Sequence, residues 1–354
     1  MRRSSTRSSR VAAGVIFLAV LAAGTCASVL DPALLRSPSR GGLLQGEWAT
    51  QWQSAFEEGL PMRPTAVSLW TLLRYSLFGE ARPEVLVGTG GWLFSAEEFD
   101  PPLPLSVPLA AAVGRIAEVR DQLGAKDIDL VVALVPTKAS VERAHLGRYT
   151  IPPALDARYE NARAALATRG IAAPDLRTPL MVAAATEDMY LRTDTHWSPQ
   201  GAERAAAVLA QSITPLLEHH ASARTPYGSE PGEQRSIQGD LLKFVPLGRW
   251  QAAGPAPDVV RQSVTRAEAS GDAGASLFGD LDIPVALVGT SYSVNQVSGF
   301  EGALKDALDA DVLNVAKEGQ GPFAPMTAYL ASKAIDDPRP DVLVWEIPER
   351  YLVP

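Results

Sequence analysis

Residues 283–293 read Ile283-Pro284-Val285-Ala286-Leu287-Val288-Gly289-Thr290-Ser291-Tyr292-Ser293. No polar residue alternates through the apolar run 283–288, which is the pattern of a parallel strand buried on both faces. The run stops at Gly289, where a sharp turn is permitted, and Ser291 follows at the carboxyl end of the strand. In open parallel sheets, active sites form at such strand ends. A serine here is either held up for attack on a carbonyl or fixed by the hydrogen bonds of its own turn. The segment is not a G-x-S-x-G elbow, because Ser293 stands in place of the second glycine. Taken alone, it leaves both readings open.

Outward from this segment, strands are expected over 128–135, 312–316 and 342–347. Helices are expected over 110–123 (Val113, Ile116, Val119 and Leu123 on one face), 154–168, 199–217, 299–308 and 323–334. Strands alternating with helices of this length predict an α/β fold, a mostly parallel sheet covered on both faces. Val85-Leu86-Val87-Gly88 and Trp92-Leu93-Phe94 read as two short strands around the turn Thr89-Gly90-Gly91. Residues 221–280, rich in Gly, Pro, Ser and Gln, read as a long irregular excursion.

The whole chain has 354 residues and a formal charge of −8, from 32 Lys+Arg and 40 Asp+Glu. That argues against a nucleic-acid surface. Four histidines and one cysteine, Cys26, exclude a Cys nucleophile, a Cys-ligated zinc or a disulfide framework beyond the leader. The leader is residues 1–30. Arg2, Arg3, Arg7 and Arg10 precede a run from Val11 to Leu30 without a charge, and Asp31 is the first acid. At about 1.5 Å per residue that run spans about 30 Å as a helix, enough for a membrane anchor, and its core also suits a signal peptide cut near Cys26. Basic residues before the run place the amino end in the cytoplasm and the rest in the periplasm. Without residues 1–30 the remaining chain stands at −12. Residues 31–84, with Pro32, Pro38, Gly41 and Gly42 and then an amphipathic stretch through Trp48, Trp52 and Trp70, read as a membrane-proximal spacer and packing helices. Residues 85–354 read as the main domain.

Among the histidines, His219 and His220 follow a helix end and are expected to be solvated, and His145 sits in a loop with a structural role. His196 stands in Leu191-Arg192-Thr193-Asp194-Thr195-His196-Trp197-Ser198-Pro199. Ser198-Pro199 is a helix start, so His196 is expected in extended chain just before it. In that geometry Asp194, two residues back, reaches one ring nitrogen and leaves the other free, the orienter and base of a Ser-His-Asp triad. A structural Asp-His pair and a pair of metal ligands are the alternatives, metal being disfavoured by the lack of further His or Cys nearby.

The block Asp194-Thr195-His196-Trp197 with Gly201-Ala202, together with Gly289-Thr290-Ser291-Tyr292-Ser293, resembles the SGNH-hydrolase-like domain of the alginate O-acetyltransferases of AlgJ/AlgX type. Further matches follow in the same order: Leu60-Pro61-Met62-Arg63, Gly91-Trp92-Leu93-Phe94, Val135-Pro136-Thr137-Lys138, Gly319-Gln320-Gly321-Pro322-Phe323 and Trp345-Glu346-Ile347-Pro348-Glu349-Arg350. The resemblance covers roughly residues 50–352 and implies a three-layer fold with circularly permuted motif order. It implies Ser291 as nucleophile, His196 as general base and Asp194 as its orienter, without a cofactor. The Ser291 amide and the Gly319-Gln320-Gly321 loop are candidate oxyanion donors, the loop being otherwise only a strand-to-helix turn, and Lys138 and Arg350 are candidate grips on an acidic sugar or else surface or fold-stabilising residues. Thr290 stands where many SGNH enzymes have Asp, although Gly289-Thr290-Ser291 is compatible with this family. The expected partners are a polysaccharide acceptor and a membrane-bound acyltransferase that supplies acetyl groups. An acetylesterase using the same triad and a non-catalytic saccharide-binding component are the competing functions. The chain ends soon after Tyr351, which fits the single-domain AlgJ arrangement better than one with an appended carbohydrate module.

Overall fold

The computed structural model describes residues 63–100, 105–268 and 283–353, with isolated positions between 15 and 54. The expected anchor at 11–30 lies mostly outside the described residues, as does Leu60-Pro61-Met62. Among the described residues, no helix is long and apolar enough to cross a membrane. The chain divides into two compact units, one of residues 1–78 with 246–254 and one of 79–245 with 255–354. In the first, helix α1 (Arg63–Phe78) passes close to Gly248, where a Cβ would meet the Ser68 side chain at 2.8 Å.

The second unit is built on a parallel sheet of β4 (Asp129–Val135), β9 (Val342–Pro348), β7 (Val285–Val288) and β8 (Val312–Asn314), in that spatial order. Alternate residues of β4, β7 and β9 enter two separate cores. Val131, Ala133, Val135, Val285, Leu287, Val342 and Val344 face one, and Leu130, Val132, Leu134, Ala286, Val288, Leu343, Trp345 and Ile347 face the other. Both strand faces are dry, which is why these runs carry no polar alternation. Helices α7 (Pro199–His219) and α9 (Phe300–Leu308) cover the first face, and α2 (Leu109–Gly124), α5 (Arg158–Ala167) and α10 (Phe323–Leu330) the second. The architecture is the expected three-layer α/β sandwich. The hairpin β1 (Val85–Val87) with β2 (Leu93–Ser95) also forms as read.

The structure departs from the sequence reading in three places. The helix expected over 154–168 is two, α4 (Pro153–Asp156) and α5, broken at Ala157. The helix expected over 323–334 stops at Leu330 before a short 3-10 turn, Lys333–Ile335. The excursion at 221–280 is not irregular throughout: β5 (Tyr227–Ile237) pairs antiparallel with β6 (Asp258–Ala267), with a bulge between Pro231 and Gln234. Polar residues dominate it, β5 is interrupted by Gly228, Pro231 and Gly232, and the valines of β6 (Val259, Val260 and Val264) do not alternate, so no apolar period announces it. The ladder is held by main-chain pairing.

Strand β9 inserts between β4 and β7 although it comes last of the four in the chain. The residues that follow β4, β9 and β7, namely Lys138, Arg350 and Ser291, therefore stand at neighbouring carboxyl ends.

Candidate active site

Ser291 opens a one-turn helix, α8 (Ser291–Val294), immediately after β7. Gly289 is required by close approach, since a Cβ there would lie 2.4 Å from Glu346 Oε2. That buried carboxylate organises the turn: it accepts the Thr290 N–H at 2.6 Å, the Thr290 hydroxyl at 3.0 Å and the Ser293 hydroxyl at 3.1 Å. Thr290 Oγ1 also caps α8, accepting the Tyr292 N–H at 3.4 Å. Burial pushes the Glu346 carboxyl up, and the hydrogen bonds it accepts oppose that shift.

Asp194, His196 and Ser291 form a continuous relay. His196 Nδ1 lies 2.6 Å from Asp194 Oδ1, and Nε2 lies 2.8 Å from Ser291 Oγ. In the tautomer protonated on Nδ1, the ring donates to the carboxylate and accepts the serine hydroxyl. The local backbone is not the extended chain expected. Asp194 Oδ1 also accepts the His196 N–H at 2.9 Å, so the two side chains meet through an Asx turn, within a loop closed by Leu191 N–H donating to His196 O. Helix α7 begins as read, with Ser198 as N-cap accepting the Gly201 N–H and Pro199 in the first turn. Gly201 packs so tightly that a Cβ would sit 2.0 Å from Met189 O.

Several residues that the sequence did not single out hold this loop. Asp240 donates its N–H to Asp194 Oδ2 at 2.9 Å, and its carboxylate accepts the Thr195 N–H at 2.9 Å and hydroxyl at 2.7 Å. Asp258 accepts the Arg192 and Thr193 amides at 2.8 and 2.9 Å, and Glu142 those of Met189 and Tyr190 at 2.8 and 3.1 Å. The Tyr292 hydroxyl donates to Thr195 O at 2.9 Å, and its ring meets His196 edge-on at 5.0 Å. Burial pushes Asp194 up, but the hydrogen bonds from His196 and Asp240 and the charge of His196 prevail, holding the carboxyl below its usual range. Asp194, His196 and Asp240 also offer ligand atoms within 4.8 Å of one another. Each is otherwise engaged: His196 by Asp194 and Ser291, and both carboxylates by protein donors.

The remaining expected site residues divide. Lys138 is fully buried, and its Nζ donates to Leu93 O at 2.6 Å, Arg192 O at 3.0 Å and Asp194 O at 2.9 Å. All three donors are satisfied, so its expected role as a grip on an acidic sugar is corrected to that of a tie beneath the Asp194 loop. Burial lowers its pKa to about 8, which leaves it a cation at neutral pH. Arg350, after β9, lines a cavity together with Thr195 and Asp240. Gln320 is exposed between Gly319 (φ +73°) and Gly321 (φ +64°), and no hydrogen bond joins Gln320 or Gly321 to Ser291 or His196 among the described residues. His145 stacks on Trp92 at 4.3 Å between ring centroids, the structural role expected of it.

Over residues 85–349 the chain matches the family model described as the SGNH hydrolase-like domain of acetyltransferase AlgX. The chain belongs to this family. Several relatives carry the name probable alginate O-acetylase AlgJ. That of Pseudomonas putida is 38% identical over 351 residues, covering 98% of this chain and 90% of the relative, and that of Pseudomonas aeruginosa is 40% identical over 321 residues, covering 88% and 81%. The solved O-acetyltransferase domain of Pseudomonas putida AlgJ superposes with a TM-score of 0.66 at 39% identity, covering 76% of this chain and 92% of that one. The fold is therefore the SGNH-hydrolase-like one, with Asp194 and His196 preceding Ser291 in chain order. Of the residues that hold the Asp194–His196 loop, Asp240 carried the faintest signal, a Gly-Asp pair inside the polar excursion. Gly239 itself is dictated by contact, since a Cβ there would meet Thr193 O at 2.1 Å.

Proposed function

We propose that the chain is an O-acetyltransferase that moves an acetyl group through Ser291 onto hydroxyls of an exported polysaccharide, alginate or a similar polymer. The observation that carries this reading is the unbroken relay from Asp194 through His196 to Ser291, with separations of 2.6 and 2.8 Å. Membership of an acetyltransferase family and the AlgJ relatives support the reaction type and the polymer class.

The chemistry follows from the geometry. As Ser291 Oγ bonds to the acetyl carbonyl carbon, its proton passes to His196 Nε2 and the carbonyl electron pair moves onto oxygen. Collapse expels the donor's leaving group, which takes that proton and leaves acetyl-Ser291. A sugar hydroxyl then gives its proton to Nε2 and bonds to the same carbon, and Ser291 departs with the proton. Asp194, ionised at neutral pH, fixes the ring and stabilises the imidazolium formed in each half-reaction. An oxyanion donor contributes about 3 kcal/mol in such reactions. The Ser291 amide at the start of α8 has no acceptor among the described residues and is the donor this chain offers.

The enzyme works on the periplasmic face of the inner membrane, held by residues 11–30 with its amino end in the cytoplasm. The four-arginine leader ahead of an uncharged run supports this. A compartment without acetyl-CoA needs a membrane-bound acyltransferase partner to deliver acetyl groups. The test is incubation with an activated acetyl ester, followed by intact mass. Wild type is expected to carry acetyl on Ser291 and pass it to an added oligosaccharide, and Ser291→Ala to carry none. Equal labelling of the variant would overturn the triad, and acetate release unaffected by oligosaccharide would identify a hydrolase.

A further inference from the structure

Lys138 and Arg350 end neighbouring strands, yet their surroundings are opposite. Where Lys138 is saturated by three carbonyls, the Arg350 guanidinium lies 5.8 Å from the Tyr292 ring centroid and 5.4 Å from that of Tyr351. Its Nε is buried without an acceptor, and no hydrogen bond or ion pair reaches the rest of the guanidinium among the described residues. Arg350 as a whole is half-buried, with the charges of Glu97 and Glu98 acting on it, but its buried Nε has no acceptor, and an incoming acceptor of matching shape satisfies that donor. Arg350 faces a cavity of about 440 Å³, in the range of small-molecule sites. Thr195, the residue between Asp194 and His196, forms part of its wall, so the cavity reaches the catalytic loop.

The rest of the lining narrows the ligand. Lys243 adds a second cation, while Glu84, Glu97 and Asp100 present carboxylates. Asp240 is already held by Thr195, and the nearby Glu98 accepts the Ala139 N–H at 2.7 Å. A suitable occupant brings one planar anion for the arginine fork and several hydroxyl donors for the free acids. A phosphate sets nearly two negative charges against three carboxylates where a sugar carboxylate sets one, and an acyl chain leaves the guanidinium unpaired. A sugar bearing a carboxylate meets both demands.

We propose that this cavity is an acceptor subsite in which Arg350 grips the carboxylate of an acidic sugar residue, placing the polymer beside Ser291. The inference rests on the acetyl-transfer reading for its polymer, and it assigns a local basic contact in an otherwise strongly acidic chain. It is tested by calorimetric titration of the full chain with an oligouronate and with the same oligosaccharide after reduction of its carboxylates to alcohols. Wild type is expected to bind the acidic form at least about tenfold more tightly. Arg350→Gln is expected to erase that preference, and Arg350→Lys, which keeps the charge but not the fork, to retain part of it. No preference in wild type, or the same preference in Arg350→Gln, would overturn the proposal. The wild-type comparison stands even where a variant fails to fold. Because binding needs no acyl transfer, failure here is separate from failure of the triad, which acetylation of Ser291 reports.

Discussion

Helix α7 carries an aspartate–histidine pair at each end. Before it, at the carboxyl ends of the strands, His196 lies between Asp194 and Ser291; after it, at the amino ends, His220 Nε2 lies 3.0 Å from Asp129 Oδ2. A serine stands near the second pair too, but Ser222 donates to Asp341 at 2.6 Å, and the other ring nitrogen of His220 faces that same carboxylate at 4.0 Å. Both nitrogens of His220 thus point at acids, whereas those of His196 point one at an acid and one at a hydroxyl. The same three residue types give a clamp at one end and a hydrogen-bonded Asp-His-Ser chain at the other. His220, expected to be solvated, is instead mostly buried, because two carboxylates at strand starts draw it in at a helix end that already favours a cation.

The largest effects should separate the ends outright. Ser291→Ala or His196→Ala is expected to cut acetyl transfer by about 10⁴-fold or more, and Asp194→Asn by about 10⁴-fold while the fold persists, measured as kcat with an activated ester. Next comes the turn that presents the nucleophile. Gly289→Ala pushes a Cβ against Glu346, and the resulting shift of Ser291 is expected to lower kcat by about 10²-fold with circular dichroism unchanged. An unaltered kcat would mean that Glu346 has room to give.

These two tests also mark what could be read in advance. The strands and their two-sided burial were legible because a continuous apolar run has one physical explanation in a parallel sheet. The positions of Ser291 at a strand end and of His196 just before a helix were legible because turn glycine and helix cap are local, whereas the Asx turn that joins Asp194 to His196 was not, and the serine's role came only with the family resemblance. Asp240 and Asp258 were not: their carboxylates reach the loop across 45 and 66 residues by accepting main-chain amides, and any short stretch of chain supplies such amides. Lys138 was legible as a cation at a strand end but not as a saturated one, since its three acceptors come from β2 and the 192–194 loop.

A subtler contrast lies in how the catalytic end is held. Burial raises Glu142 to about 7, although the Met189 and Tyr190 amides it accepts favour the charged form. Between about pH 4.5 and about pH 7 the folded chain then keeps a proton that the unfolded chain has released. Stability should therefore fall as pH rises through that window, by at most about 3 kcal/mol, and flatten above it. Glu142→Gln keeps an oxygen for both amides and carries no charge, so urea midpoints for the variant should lose this part of the slope. A slope of equal size in the variant would assign the pH dependence to other groups.

The smallest expected effect tests the far end of α7. His220→Ala removes the cation-capable partner between Asp129 and Asp341 and leaves the two carboxylates to face each other. Asp129 is 43% exposed, so water screens much of the loss, and about 1 kcal/mol of stability is the expected cost in urea denaturation. At about 1.5 Å per residue, the 21 residues of α7 put roughly 30 Å between this pair and the relay. The kcat of His220→Ala should accordingly stay within about twofold of wild type, a difference under 0.5 kcal/mol. A much larger fall in kcat without a matching loss of stability would mean that α7 transmits the position of its last turn to His196, and the two ends would then be one device rather than two.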